Sequence, residues 1–128
     1  MQFWERTKTL NLKINMEKIY QRENDEDTMV FVHRVIEEQE DREPFHIVEQ
    51  LVEITIGELK NRPHDISIHV TDKRMKVTLH HKGRPIDSRL VMVMNDHTDR
   101  VDYHSDETNG GWVLTIRRDI PPFFVTRR

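Results

Sequence analysis

Ile66-Ser67-Ile68-His69-Val70-Thr71-Asp72-Lys73-Arg74-Met75-Lys76-Val77-Thr78-Leu79-His80-His81-Lys82-Gly83-Arg84-Pro85-Ile86-Asp87 is the stretch on which the fold turns. Apolar and polar residues alternate on both sides of Asp72-Lys73, a period of two that predicts two half-buried strands. A two-residue turn at Asp72-Lys73 pairs Val70 with Met75, Ile68 with Val77 and Ile66 with Leu79. All six apolar side chains then share one face, and a slip of one residue would send one strand's set to the opposite face. The same register puts His64 opposite His81 on the apolar side and Asp65 opposite His80 on the other. The second strand ends at His80-His81, where Gly83 and Pro85 re-aim the backbone.

Upstream lie two helical patterns. Ile47, Val48, Leu51, Val52, Thr55 and Leu59 fall on one helical stripe, which predicts a helix over 44–61 that ends before Pro63. Pro44 suits its first turn, where a missing N–H leaves no intrahelical bond unmade. Met29, Val32, Val35 and Ile36 predict an earlier helix over 25–41, with cap candidates in Asn24 to Asp27. Leu10, Leu12 and Ile14 alternate as in a strand, and Met16 to Arg22 has no pattern that places it. Downstream, Ser88 to His97 reads as a short helix with Ser88 as N-cap. Val101 and Tyr103 begin another strand, Asp106 to Gly111 is a hairpin loop, and the last strand faces inward with Trp112, Leu114 and Ile116 or with Val113 and Thr115. This order predicts an α+β, two-layer α/β sandwich with helices on one face of a mixed, mostly antiparallel sheet.

Composition narrows the function classes. The 128 residues suit a single domain, 1–128, with a tail from 119 to 128. Net charge is −3 and aromatics are 7%, which argues against nucleic acid and anionic membranes as partners. No cysteine is present, so no disulfide, thiolate nucleophile or Cys-zinc site exists. No apolar run is long enough to span a bilayer and no signal-peptide pattern opens the chain, so the expected location is the cytoplasm. No Walker loop, dinucleotide fingerprint or Gly-x-Ser-x-Gly elbow occurs among the four glycines.

Gly83, Pro85, Ile86 and Asp87 after an apolar strand resemble the strand-to-loop segment of the anti-sigma-factor serine kinases, small members of the histidine-kinase-like ATPase superfamily. Asp99-Arg100-Val101-Asp102-Tyr103, a Gly-Gly turn and Val113 to Arg118 resemble that family's C-terminal hairpin. The resemblance covers about residues 9–118 and implies a histidine-kinase-like ATPase fold. The family's second helix carries Glu-x-x-x-Asn, in which Glu activates the attacking hydroxyl and Asn holds magnesium. Glu53 matches the Glu, whereas Gly57 stands at the Asn position and suggests close packing there. His81 stands where the family's Asp reads the adenine amino group. Asp87-Ser88-Arg89 runs straight into Leu90, without the lid and glycine-rich phosphate cradle. The nucleotide site, Gly57, His81 and Gly83, is thus degenerate, with Glu53 vestigial, and neither ATP with magnesium nor another cofactor is expected.

The resemblance then implies a non-catalytic regulatory module of bacterial partner switching. Its partners would be a sigma factor, an antagonist domain or a phosphatase, and the module could form a homodimer. One alternative is a serine kinase and anti-sigma factor that keeps its activity. Another is a small-ligand or metal site built from His64, His81 and Glu53, since two imidazoles and a carboxylate suit zinc or nickel. Phe123, Phe124 and Val125 in the tail would pack against the domain or a partner.

Overall fold

A computed structural model of the protein describes residues 17–121. Its elements are β1 (Glu17–Gln21), α1 (Thr28–Glu37), α2 (His46–Leu59), β2 (His64–Thr71), β3 (Arg74–His81), α3 (Ser88–His97), β4 (Arg100–Ser105) and β5 (Trp112–Asp119). The described residues form an α+β fold with three helices and an open five-stranded sheet in the order β1-β2-β3-β5-β4. Every neighbouring pair is antiparallel, so the sheet is not mixed as the sequence suggested. Hairpins build β2-β3 and β4-β5, and no parallel crossover is needed to join them.

The β2-β3 register is the one the alternation dictates. Val70 pairs with Met75, Ile68 with Val77, Ile66 with Leu79, His64 with His81 and Asp65 with His80. Thr71 stabilises the turn, its hydroxyl accepting from the backbone N–H of Lys73 and of Arg74. On β5, Leu114 and Ile116 are the buried pair. These strand residues form one core with Phe31, Val32, Val35 and Ile36 of α1, Val48, Leu51, Val52 and Leu59 of α2, Phe45 and Met94. The helices thus cover one face of the sheet, and burying each such side chain contributes roughly 1.5–3 kcal/mol.

Helix ends follow local chemistry. Asp27 caps α1, its carboxylate accepting from Met29 N–H and Val30 N–H at 3.0 and 3.2 Å. α1 stops at Glu37 rather than near 41: Glu38, Glu40 and Asp41 would crowd negative charge at the end where the helix dipole disfavours it. A 3₁₀ turn, Glu43–Phe45, holds Pro44 and turns the chain into α2. Asp87, not Ser88, caps α3 by accepting from Arg89 N–H at 2.9 Å. The segment that the sequence left unplaced contains β1, which is paired to β2 from Glu17↔Thr71 to Gln21↔Ser67 and is an edge strand among the described residues. The predicted strand at Leu10 to Ile14 and the apolar tail lie outside the described residues. Among the described residues, no helix is long and apolar enough to cross a membrane.

Candidate functional site

His64 and His81 meet at one end of the sheet on the helix-facing side, where the hairpin register puts them opposite each other. His81 is only 2% exposed. Its Nδ1 lies 3.0 Å from Lys82 O and its Nε2 lies 2.8 Å from the Tyr103 hydroxyl. A carbonyl only accepts, which assigns the ring proton to Nδ1 and makes Nε2 an acceptor. The Tyr103 hydroxyl therefore donates to His81, and it accepts from Ile86 N–H at 2.7 Å. His64 repeats the pattern, with Nδ1 3.0 Å from Arg62 O and Nε2 2.6 Å from the Thr28 hydroxyl, which donates to it. Every ring nitrogen of the two imidazoles is engaged in a hydrogen bond.

Electrostatics agree with the hydrogen bonds. Burial pulls the His81 pKa below the ordinary histidine value, outweighing its backbone bond to Lys82, while Arg62 and His64 nearby push the same way. Burial likewise raises the Tyr103 hydroxyl above the usual tyrosine range. Burial thus favours the uncharged form of both groups. Stacking adds to this, with His81 and Tyr103 ring centroids 5.9 Å apart and Tyr103 and Trp112 centroids 5.4 Å apart.

The Gly83 corner is fastened from three sides. Lys82 O accepts from His81, Gly83 O accepts from the Trp112 indole N–H at 3.1 Å, and Arg84 O accepts from Arg62 Nη1 at 2.7 Å. Arg62 also donates to Leu59 O at 3.1 Å, which ties the corner to the end of α2. The Lys82 ammonium reaches back to the carbonyls of Asn109 and Gly110 in the β4-β5 loop. That loop presses close, since a Cβ on Gly111 would stand 2.3 Å from His81 O, and Gly111 has φ +81°. Only glycine fits there.

The sequence-derived site residues separate. His64 and His81 line a groove of about 350 Å³ at the sheet end, with Asp65, His80, Lys82 and Asp106. Gly83 lines a different recess of about 310 Å³ beside Glu58, Lys60 and Arg62. Glu53 and Gly57 are exposed on α2 and line neither. The His64, His81 and Glu53 metal set therefore does not assemble: the carboxylate faces solvent and neither imidazole has a free lone pair. Among the described residues, no three His, Asp or Glu side chains are arranged to hold a metal. Gly57 is not a packing glycine either, because a Cβ there meets nothing within 4 Å.

Sequence reasoning passed over Tyr103 and Trp112 as site residues. Tyr103 is 22 positions from His81, and only the β3-β5-β4 order brings it near. A tyrosine alternating with Val101 in a predicted strand was the available signal of burial, since a buried hydroxyl needs a partner. Compared with known proteins, the chain matches no family model and no curated sequence.

Proposed function

We propose that the chain is a non-catalytic regulatory module of the anti-sigma-factor kinase type, a two-layer sandwich of the histidine-kinase-like ATPase kind that acts by protein–protein contact in bacterial partner switching. The order strand, helix, helix, hairpin, helix, hairpin supports this reading. The observation that carries it is the closed hydrogen-bond chain at His81. Where the resembling family presents a carboxylate to adenine, this protein has a neutral imidazole whose two nitrogens already bond Lys82 O and the Tyr103 hydroxyl. A purine would have to break that chain and leave buried polar groups unmatched, at roughly 1–3 kcal/mol for each. The other two deficits act on the triphosphate. Gly57 has no amide to hold magnesium, and Asp87 caps α3 directly, so a carboxylate occupies the helix start where phosphate would bind.

Calorimetry with ATP and magnesium tests the reading, together with labelled-phosphate transfer to candidate antagonist domains. The expected result is no saturable heat below about 1 mM ATP and no transfer. A purified sigma factor or antagonist domain of the same organism should instead bind without nucleotide. Micromolar ATP affinity, or transfer abolished by Glu53→Ala, would restore the active kinase.

A further inference from the structure

The face of the sheet away from the helices carries a rung of cations. His69, Lys76, Arg117 and Arg100 are consecutive register partners across β2, β3, β5 and β4. The next rung is Ser67, Thr78, Thr115 and Asp102, three hydroxyls and one acid. Both border an open concavity of about 900 Å³, whose lining includes Lys73, Arg74, Lys76, Arg100 and Arg117 against Glu17, Asp72 and Asp102. Five Lys or Arg against three Asp or Glu is an excess of positive charge, in a chain whose net charge is −3.

Like charges directly opposite one another in neighbouring strands destabilise a sheet. Lys76, Arg117 and Arg100 do this across three strands in succession. Their counter-charges lie along the strands rather than between them: Asp102 is 3.0 Å from Arg100, and Asp119 is 3.3 Å from Arg117. Lys76, at the centre, is exposed and has no ion pair among the described residues. Lys76 thus breaks the local rule without a counter-charge of its own, and such a residue marks a surface open to something outside.

We propose that this face docks an acidic segment of a partner protein, with carboxylates laid across the strands along the Lys76–Arg117–Arg100 rung. Neighbouring strands stand about 4.8 Å apart. Carboxylates three or four residues apart on a helix are about 4.5–6 Å apart along its axis. An acidic helix face crossing the strands therefore meets successive cations, and the Thr115 and Thr78 hydroxyls lie beside it as further donors. No Phe, Tyr or Trp among the described residues falls on this side of the register, so bases have no stacking platform. Glu17, Asp72 and Asp102 would repel a continuous phosphate backbone, whereas a protein segment can offer them a Lys or Arg. The inference takes from the reading above only that the chain works by protein contact.

The test is fluorescence anisotropy with a labelled helical peptide carrying Glu at i, i+3 and i+7. A scrambled peptide of the same composition and a single-stranded oligonucleotide are the comparisons. The helical peptide should bind best at about 20 mM salt and weaken by about 150 mM, as charge-driven contacts do. Lys76→Glu should weaken it at least about tenfold. In the free protein, Lys76→Glu should raise the thermal midpoint, because a carboxylate then stands beside the Arg117 guanidinium. No binding at low salt, binding indifferent to Lys76→Glu, or tighter binding of the oligonucleotide would each overturn the proposal. ATP binding that ignores Lys76→Glu would count against the preceding reading and leave this one standing.

Discussion

The two faces of the β2-β3-β5-β4 ribbon solve opposite problems with polar residues. On the helix side, His64, His81 and Tyr103 are placed so that each ring nitrogen and the hydroxyl meets a hydrogen-bond partner. On the outer side, Lys76, Arg117 and Arg100 are placed so that charges of one sign face each other. Buried polar groups must be satisfied within the protein because no water reaches them. Exposed charges can stay frustrated because water screens the cost. One face is therefore finished by folding, and the other can be completed from outside.

The largest effect that breaks this contrast comes from the backbone packed against His81. Gly111→Ala forces a Cβ against His81 O and a side chain into a positive-φ conformation, which alone costs about 1–2 kcal/mol. The expected total loss exceeds about 2 kcal/mol in denaturant unfolding, and an unchanged midpoint would show that the contact is loose. Next is Tyr103→Phe, which keeps the stack and deletes one oxygen. It strands Ile86 N–H and His81 Nε2 together, so a loss of about 1–3 kcal/mol is expected. Faster exchange of the Ile86 amide in the variant would locate the damage at the corner.

Gly57→Ala sharpens the contrast from a third position. The site is exposed, helical and open, so alanine should stabilise the protein by about 0.8–1 kcal/mol. Destabilisation there would mean that something passes close to α2. The smallest effect is pH dependence. Because the His81 pKa is lowered on folding, the native state resists a proton that the unfolded chain accepts. His81 thus contributes stability that is complete above the ordinary histidine value of about 6.5 and declines as pH falls below it. Comparing denaturant midpoints between pH 7.5 and 5.5 should show a decline in the wild type that is shallower in His81→Gln.

The hairpin was legible because both strands bury one face, so the alternation of Ile66 to Leu79 admits one register. α3 was legible in extent, yet its cap lay one residue earlier, because the Asp87 carboxylate reaches Arg89 N–H. β1 was not legible. Among the described residues it is an edge strand, with only Tyr20 half-buried against the core and Ile19 67% exposed, so it has no apolar alternation to read. Of the site residues, the pairing of His64 with His81 was legible from the hairpin alternation. The reading also joined Gly83 to His81 in one nucleotide site, whereas the two line different recesses. It put Glu53 with them, although Glu53 follows the buried Val52 by one position and so turns about 100° from it around α2. Tyr103 was out of reach because its position depends on how two hairpins join, and no local pattern encodes that.

The antiparallel order also sets a kinetic hierarchy. β2-β3 and β4-β5 close over short loops, whereas β1 finds β2 only after the chain has passed through both long helices. Closing a long loop costs more chain entropy and returns nothing until the strand is seated. β1 is then the last strand to join the sheet and the first to leave it, detaching in sub-global openings while the two hairpins stay paired. The outer rung spans β2 to β4 and omits β1, so the cation surface persists through those openings. Backbone amides of β1 should exchange with solvent well before those of β3 and β5.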